Sequence, residues 1–384
     1  MREDASVAPG RRLRAGIVGG GRGAFIGPLH RIAAELDGGA RVVAGALSSD
    51  ADRARQSAAE WRLDRSYDDF RVMAAQESLR PDGIDFVIIA TPNHLHFPIA
   101  RAFLEANIPV VCDKPLAASL EEARQLVDLV ESHRLCFALT HPYSAYPLVE
   151  EARDRVAQGA LGTLRRVVVE YQQDWLRRAV EQEGHKQAEW RSDPQRAGLG
   201  GCIGDIGTHA QHLLEHVSGV RITSLCADLT RFVDGRRLDD DANVLLRLSG
   251  GAKGILTCSQ IACGEENNLT IRLYGTLGGL EWRQQEPNTL YWKPADAPWQ
   301  LIRAGTTATG RGARSLTRTP PGHPEGYIEA FANIYGAFVE DVRRSSAGLE
   351  PLQRYPTVRD GARSMQFVEA VVESSSAGGS WRSI

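Results

Sequence analysis

An aspartate and a histidine four residues apart are the part of this sequence best suited to proton transfer. Asp205 and His209 lie in residues 198–212, GLGGCIGDIGTHAQH, where the glycines keep the backbone open to a ligand. On a helix, this spacing puts two side chains on one face, one turn apart. A histidine paired with a carboxylate accepts a proton readily near neutral pH. The pair therefore predicts general acid–base catalysis.

Histidines recur along the same predicted helix, which raises the alternative of a metal site. His209, His212 and His216 follow one another at helical spacing. A catalytic zinc site needs three protein ligands and an open position, and the sequence fixes no such set. We therefore expect no metal, with His212 and His216 as ordinary helix residues.

Glycines near the amino terminus predict a dinucleotide site. The apolar run 14–19, RAGIVG, leads directly into GGGRGAFIG at residues 19–27. Glycines at such a strand-to-helix turn let a pyrophosphate approach the backbone, and the next helix offers it free N–H groups. Ala24 stands where a strict fingerprint has its third glycine, and alanine is small enough for close helix packing. The expected cofactor contacts in this turn are Gly19, Gly21, Arg22, Gly23, Ala24, Phe25 and Ile26.

The end of the second predicted strand bears on the choice between NAD and NADP. An acidic residue there would bond the adenosine ribose of NAD, but the sequence has Ser48 and Ser49, followed by Arg53. A small neutral residue with a cation nearby suits a 2′-phosphate. Asp50 counts against that argument, and the alternative for Arg53 is a solvated helix residue. Ser48, Ser49 and Arg53 thus favour NADP, with NAD still open.

Two further segments follow buried strands at the expected nicotinamide end. Residues 91–96, TPNHLH, come after the apolar run 84–90, and Asp113-Lys114-Pro115 comes after the next strand. Ligands of an open parallel sheet bind beyond the carboxyl ends of its strands. Pro115 restricts the backbone of Lys114, and the bond between them is a candidate cis bond. The expected cofactor contacts here are Thr91, Pro92, Asn93, His96, Asp113, Lys114 and His141.

Two predicted domains of different architecture must position these residues. Strand and helix patterns alternate through residues 13–143, which predicts a doubly wound parallel sheet. Later strand patterns follow one another with few helices between them, which predicts a large, mostly antiparallel open sheet. We therefore expect an α/β fold with a disordered tail over 1–12, a dinucleotide-binding Rossmann domain over 13–143 and a second α/β domain over 144–384. Residues 176–200 and 304–324 are expected to be loops.

Composition argues against several classes of function. The 384 residues carry a formal net charge of −3, so nucleic acid is not an expected partner. No run approaches the roughly 20 apolar residues of a membrane span, and the polar first residues do not resemble a signal peptide. Six cysteines without a C-x-x-C pair suggest free thiols in a reducing compartment. We expect a cytoplasmic protein with no membrane partner.

Taken in order, these motifs resemble the Gfo/Idh/MocA oxidoreductase family. The matching pieces cover about residues 15–210 and are the glycine turn at 19–23, TPNHLH at 91–96, Asp113-Lys114-Pro115, and Gly200-Gly201 leading to Asp205-Ile206-Gly207-Thr208-His209. Asp113 stands where the family usually has glutamate, and Ser48 where it usually has an acid. The resemblance implies a Rossmann domain with NAD or NADP and a catalytic trio of Lys114, Asp205 and His209. It also implies that residues 144–384 form a substrate-binding and oligomerisation domain. The implied substrate is carbohydrate-like, and the implied assembly is a homodimer or homotetramer formed through the exposed sheet.

The expected reaction moves a hydride between nicotinamide and a secondary alcohol or ketone of a sugar, glycoside or inositol. His209 takes the hydroxyl proton, Asp205 bonds a substrate hydroxyl or orients the imidazole, and Lys114 stabilises the alkoxide. An alternative gives the acid–base role to Lys114. The expected substrate contacts are Lys114, Tyr143, Trp175, Lys186, Asp205, His209, His323 and Tyr327, with Trp190 and Arg191 in the same polar loop as Lys186.

Two other functions share these motifs. One is an NAD-dependent glycoside-cleaving enzyme, which oxidises a sugar transiently, eliminates the glycoside and returns the hydride. The other is a non-catalytic dinucleotide-binding regulator. The intact set of Lys114, Asp205 and His209 argues against the regulator, because binding alone needs none of them.

Overall fold

The computed structural model describes residues 10–384, which form fifteen strands and twelve α-helices. The strands are β1 Leu13–Gly19, β2 Ala40–Ala46, β3 Arg65–Ser66, β4 Phe86–Ala90, β5 Val110–Asp113, β6 Phe137–Thr140, β7 Leu164–Gln172, β8 Ile222–Thr230, β9 Asp241–Leu248, β10 Lys253–Ser259, β11 Asn268–Gly275, β12 Gly278–Arg283, β13 Thr289–Pro294, β14 Gln300–Arg303 and β15 Arg382–Ser383. The helices are α1 Ile26–Leu36, α2 Ala51–Glu60, α3 Phe70–Leu79, α4 His96–Glu105, α5 Leu120–His133, α6 Pro147–Ala157, α7 Lys186–Arg191, α8 Pro194–Ala197, α9 Thr208–Ser218, α10 Arg311–Ser315, α11 Tyr327–Ser346 and α12 Val358–Ser376.

The first of two compact units contains a six-stranded parallel sheet. Its strand order is β3-β2-β1-β4-β5-β6, with every neighbouring pair parallel. This is the order of a Rossmann sheet, in which the connection reverses beside the first strand. All five residues of β4 are buried, as expected for a central strand covered on both faces.

The carboxyl-terminal third of the chain also contributes to this first unit. Among the described residues, the unit covers 10–117, Glu121–Thr140 and Phe331–Gly361, so residues 331–361 from the predicted domain 144–384 pack with the parallel sheet. The physical reason is an aromatic face on α11. The ring of Phe331 lies 5.2 Å from that of His30 on α1, and the ring of Phe338 lies 5.3 Å from that of Phe86 on β4.

The amino-terminal residues that the structure describes are tied to the same unit. Of the predicted tail over 1–12, residues 1–9 lie outside the described residues. Arg11 forms an ion pair with Asp85, and the Nε of Arg12 donates to the carbonyl oxygen of Gly38 at 2.9 Å. The expectation of disorder therefore does not hold for Arg11 and Arg12.

The second unit contains a nine-stranded mixed sheet. Its order is β14-β13-β12-β11-β7-β10-β9-β8-β15. Only the β7–β10 pair is parallel among its described pairs, and the others are antiparallel. The predicted α/β fold class, with one parallel and one mostly antiparallel sheet, is therefore confirmed.

Helices cover one face of this mixed sheet. Helix α9 packs on β7, β10 and β11, and α6 packs on β12 and β13. Along β9, buried Val244 and Leu246 alternate with outward-facing Leu245 and Arg247, and Leu245 is 50% exposed. The period of two matches a sheet with one face on the core and the other accessible.

Several short elements depart from the sequence expectations. The predicted loop 176–200 contains α7 and α8, and the predicted loop 304–324 contains α10. Asp193 caps α8 by accepting the N–H of Gln195 at 3.2 Å, a local signal that outweighs the polar composition of that stretch. All six cysteines are free thiols. Within residues 10–384, none of the helices has the length and apolar character needed to cross a membrane.

Candidate active site

The turn after β1 is built for close backbone approach. Gly19, Gly20 and Gly23 have φ angles of 80°, 72° and 78°, the left-handed region in which glycine is at ease. A Cβ atom on Gly27 would lie 2.3 Å from the Cα of Gly20. The close strand-to-helix packing therefore uses Gly20 and Gly27, rather than Ala24 as the sequence suggested.

This turn fits the pyrophosphate of a dinucleotide. Helix α1 begins at Ile26 with no acidic residue in its first turn and no side-chain hydrogen bond to its cap. Its first N–H groups and the positive end of its dipole are suited to an anion. The expected contacts Arg22 and Phe25 are both exposed beside this helix start, where they can reach a ligand.

Side chains after β2 are arranged around the start of α2. The carboxylate of Asp50 accepts the backbone N–H of Arg53 at 2.8 Å, and the hydroxyl of Ser48 accepts the N–H of Asp50 at 3.1 Å. Asp50 thus caps α2, while the Arg53 side chain is exposed. The backbone of Arg53 and the hydroxyl of Ser48 therefore both contact Asp50 at the strand end that the sequence associated with the adenosine ribose.

A buried histidine connects the two segments of the predicted nicotinamide end. The Nδ1 of His96 lies 2.7 Å from the carbonyl oxygen of Pro115, and its Nε2 lies 2.8 Å from that of Thr91. Burial lowers the pKa of His96, while the charge of Asp113 opposes that shift. His96 therefore ties the turn after β4 to the turn after β5, which carries Lys114. The Lys114–Pro115 bond is cis, as the sequence suggested.

Asp113 sits in a buried polar network that the sequence did not reveal. Its carboxylate accepts the hydroxyl of Thr140 at 2.8 Å and lies 3.7 Å from the Nε2 of His30. The Nδ1 of His30 in turn pairs with the hydroxyl of Tyr335 on α11 at 2.7 Å. Burial raises the pKa of Asp113, but the hydrogen bond and charge of His30 and the charge of Lys114 outweigh it and hold that pKa well below its usual range. An ionised carboxylate therefore lies directly before Lys114.

In the second unit, the segment carrying Asp205 begins with a π-helical turn, Ile203–Gly207, that runs into α9. The carboxylate of Asp239 holds the start of this turn by accepting the N–H groups of Gly201 and Ile203, each at 2.7 Å. Burial raises the pKa of Asp239 to about 6, although those two N–H groups act against the rise. Asp239 is thus a buried anchor for the glycine-rich turn.

Asp205 faces a cation and an amide. Its Oδ2 accepts from the Nε2 of Gln260 at 2.8 Å and lies 3.3 Å from the Nε of Arg191. The guanidinium of Arg191 also packs over the ring of Trp190, 4.1 Å from its centroid. The carboxylate is therefore held by charge and by hydrogen bonding. Gln260 follows β10, far from Asp205 in sequence, and no local pattern points to it.

His209 lies in a cluster of buried aromatic rings. Its Nδ1 is 3.2 Å from the Nδ1 of His141, and the ring of Tyr143 packs edge-on against it at 4.8 Å. The ring of His141 stacks on that of His212, 4.4 Å away and 7° from parallel. His209 is 6% exposed, so water has little access to the rest of its ring.

Tyr143 belongs to a further network of hydrogen bonds. Its hydroxyl lies 2.6 Å from that of Tyr171, and the amide of Asn267 donates to it at 3.3 Å. Burial raises the pKa of Tyr143, which keeps its hydroxyl protonated. The ring of Tyr327 lies 6.0 Å from that of Tyr143. Asn267 was not expected from the sequence.

The remaining predicted substrate residues have different surroundings. The Nε1 of Trp175 donates to Gln173 at 3.1 Å, and Gln173 donates to Asn267 at 2.7 Å, which links Trp175 to the Tyr143 network. Lys186 and His323 are exposed. The structure thus brings His141, Tyr143, His209 and Tyr327 together, and leaves Lys186 and His323 as predictions without a contact in that cluster.

Comparison with known protein families identifies both halves of the chain. Residues 13–141 match the model of an oxidoreductase family with an NAD-binding Rossmann fold. Residues 149–281 match the Gfo/Idh/MocA C-terminal domain. The two matches fall on the parallel-sheet segment and on the mixed-sheet segment, respectively.

Individual proteins resemble the chain over almost its whole length. The crystal structure of an oxidoreductase from Sinorhizobium meliloti is 44% identical, covers 97% of this chain and all of its own, and has a TM-score of 0.89. An inositol dehydrogenase homolog from Azotobacter vinelandii, complexed with NAD+, is 35% identical, with 98% and 100% coverage and a TM-score of 0.95. Levoglucosan dehydrogenase from Pseudarthrobacter phenanthrenivorans is 27% identical over 95% of this chain and 96% of its own. The glycine-rich turn after β1, the turn that carries Lys114 and the Asp205–His209 segment all lie in the matched regions. The chain therefore belongs to the Gfo/Idh/MocA family of NAD-binding oxidoreductases.

Proposed function

We propose that this protein is a dehydrogenase or reductase that interconverts a secondary alcohol and a ketone on a sugar, glycoside or inositol. The observation that carries the proposal is the buried imidazole of His209, which lies on the same segment as the carboxylate of Asp205 in an NAD-binding oxidoreductase. A reaction that moves a hydride from a carbinol also releases a hydroxyl proton, and a buried imidazole is suited to take it. Two similar proteins, an inositol dehydrogenase homolog and a levoglucosan dehydrogenase, support this substrate class.

The residues of the first unit serve the cofactor in this proposal. The turn from Gly19 to Gly27 and the start of α1 bind the pyrophosphate, and the segments at 91–96 and 113–115 bind the nicotinamide end. When bound, the dinucleotide supplies the hydride acceptor or donor. Lys114 donates to the substrate oxygen and stabilises the negative charge that develops on it.

The residues of the second unit serve the substrate. His209 takes the hydroxyl proton during oxidation and returns it during reduction. Asp205, held by Arg191 and Gln260, accepts a hydrogen bond from a second hydroxyl. Tyr143, Trp175 and Tyr327 supply aromatic faces and polar groups of the kind that suit sugar rings. A polyol with neighbouring hydroxyl groups matches this mixture of carboxylate, imidazole and aromatic side chains.

A panel of sugars, glycosides and inositols tests the proposal, with absorbance at 340 nm as the readout and both NAD+ and NADP+ as cofactors. We expect reduced cofactor to accumulate with at least one polyol or sugar. His209→Asn should lower turnover by about 10²- to 10⁴-fold, because it removes the proton acceptor. His216→Asn is the matched control, since the His216 ring lies 3.6 Å from Glu150 and is separated from His209 by the rings of His212 and His141. Glycoside cleavage without any net reduced cofactor would contradict the proposal.

We further propose that NADP is accepted through Ser48, Ser49 and Arg53. Ser48 is small and neutral, and the exposed Arg53 guanidinium offers a cation for a 2′-phosphate. Arg53→Ala should raise the KM for NADP+ and leave the KM for NAD+ unchanged. An equal effect on both cofactors, or none on NADP+, would count against this assignment.

The uncovered face of the mixed sheet supports a homodimer or homotetramer. Leu245 on β9, Tyr274 on β11 and Leu301 on β14 are large apolar side chains exposed on the mixed sheet of the second unit. An open sheet face that exposes several large apolar side chains is a surface on which a second copy of the chain can pack. Light scattering coupled to size exclusion should therefore give a multiple of the 42.0 kDa chain mass. Leu245→Lys should shift the population towards monomer.

A further inference from the structure

We propose that His141 is a positioning residue that fixes the tautomer of His209. In this arrangement, His209 carries its proton on Nδ1 and donates it to the Nδ1 of His141. The Nε2 of His209 then keeps its lone pair and can accept the proton of a substrate hydroxyl. The inference rests on the proposed function, because it concerns the imidazole that acts as base.

The hydrogen bond between the two Nδ1 atoms carries the argument. They are 3.2 Å apart, and both rings are almost fully buried, with His141 1% exposed. A neutral imidazole has one N–H and one lone pair, so a bond between two Nδ1 atoms needs one donor and one acceptor. The hydrogen bond made by one ring nitrogen decides which form the other takes. Only donation from His209 to His141 leaves the Nε2 of His209 able to act as a base.

The ring of His141 is held in place by its neighbours. It stacks on His212 and meets the ring of His209 at 85°, with centroids 5.1 Å apart. His209 and His212 are three residues apart on α9, so one helix supports both partners. Rotation of His141 would break the stack and the hydrogen bond together. The acceptor is therefore fixed in direction as well as in distance.

The charged and titratable groups around the pair favour a neutral His141. Tyr143, Tyr171 and His212 face one or both rings of the pair, the charge of Asp205 acts on Tyr143, and His216 and Glu150 lie beyond His212. Burial opposes an imidazolium at His141, because taking a charge out of water costs free energy. A neutral His141 can accept, and its bond to His209 strengthens when His209 becomes cationic, because charge-assisted bonds are about twice as strong.

The proton balance of the step is simple. The hydroxyl proton of the substrate moves to the Nε2 of His209, and the carbinol hydride with its two electrons leaves to the dinucleotide. His209 becomes an imidazolium that still donates from Nδ1 to His141. Reduction of a ketone reverses both transfers, and His141 gains and loses no proton in either direction.

Nuclear magnetic resonance of protein labelled with ¹⁵N in the histidine rings tests the proposal without any substrate. Long-range proton–nitrogen correlations distinguish a protonated Nδ1 from a protonated Nε2, and the His209→Gln spectrum assigns the His209 signals by their loss. At a pH where His209 is neutral, we expect its Nδ1 to be protonated and its Nε2 to be unprotonated. A His209 protonated on Nε2 in the wild-type protein would overturn the proposal, whatever the variants do.

Two substitutions separate the hydrogen bond from the packing. His141→Phe keeps a stacked ring but has no acceptor, so we expect His209 to shift towards Nε2 protonation and kcat to fall by about 10²-fold with KM little changed. His141→Asn offers an amide oxygen near the position of Nδ1 and should restore the Nδ1 tautomer and most of the turnover. His216→Gln is the control and should leave both readouts unchanged. An unshifted tautomer in His141→Phe would contradict the proposal. A correct tautomer in a protein that oxidises nothing in the substrate panel would instead contradict the proposed function.

Discussion

Replacing Gly27 by alanine should disturb the dinucleotide turn without removing any functional group. The added Cβ would lie 2.3 Å from the Cα and 2.5 Å from the carbonyl oxygen of Gly20. Carbon atoms prefer separations of about 3.5–4.0 Å, so the turn or the helix must move by more than about 1 Å. Both atoms belong to the backbone, and no side chain can rotate out of the way.

The expected loss follows from that displacement. Overpacking of this kind costs about 1–3 kcal/mol of unfolding free energy. A shift of about 1 Å in the groups that hold a reactant can lower turnover by about 10²-fold. Urea unfolding and steady-state kinetics, with dinucleotide binding measured by calorimetry, give both quantities.

Gly336→Ala provides the matched control for this prediction. Gly336 lies within α11 and is exposed, and a Cβ atom added there would meet no other atom within 4 Å outside its own stretch of helix. Alanine is favoured over glycine inside a helix by about 0.5–1 kcal/mol, so this variant should be slightly more stable than the wild type. If Gly27→Ala matched the wild type in urea midpoint and in dinucleotide affinity, the close approach of Gly20 and Gly27 would not be what shapes the site.

Three further predictions follow from the buried networks. Burial raises the pKa of Asp239 to about 6, so the folded protein holds a proton on this carboxyl more tightly than the unfolded chain does. The stability that this proton contributes is full below about pH 4 and is lost as the pH rises through 6. Asp239→Asn should therefore flatten the fall in urea midpoint over that range. Tyr335→Phe removes the hydroxyl paired with the buried Nδ1 of His30 and should cost about 1–3 kcal/mol in urea unfolding, with no change expected if that pairing is absent. Arg191→Ala removes the cation beside Asp205, and an ion pair of this kind contributes about 1 kcal/mol. We expect kcat/KM for the substrate to fall about fivefold, while calorimetry should find an unchanged affinity for the dinucleotide.

The elements with regular apolar periods were predicted well from the sequence. Strand β4 reads as a buried strand because all five of its positions are apolar, and β9 alternates with period two. Helix α3 has no clear apolar period in the sequence, because its buried face includes Glu77, which accepts from Arg65 and Tyr67 and is 1% exposed. A buried carboxylate with distant partners looks like a surface residue until those partners are placed.

The site could be predicted only as far as local motifs reach. Lys114, Asp205 and His209 each sit in a short segment with a physical rationale of its own. Gln260 and Asn267 act on Asp205 and Tyr143 across the sheet, and nothing near them in sequence indicates those contacts. The same holds for His30, whose partners Asp113 and Tyr335 come from distant parts of the chain.

The return of residues 331–361 to the parallel-sheet unit has a consequence for how the chain is made. Phe331, Tyr335 and Phe338 cover apolar and polar groups of α1 and β4, which are synthesised far earlier in the chain. Domains generally fold during synthesis in order from the amino terminus. Here the nascent nucleotide-binding half must leave the ribosome with part of its core exposed and waits for α11 to emerge. A fragment ending at residue 143 would keep that surface permanently uncovered, so aggregation of the fragment is the natural outcome of its truncation.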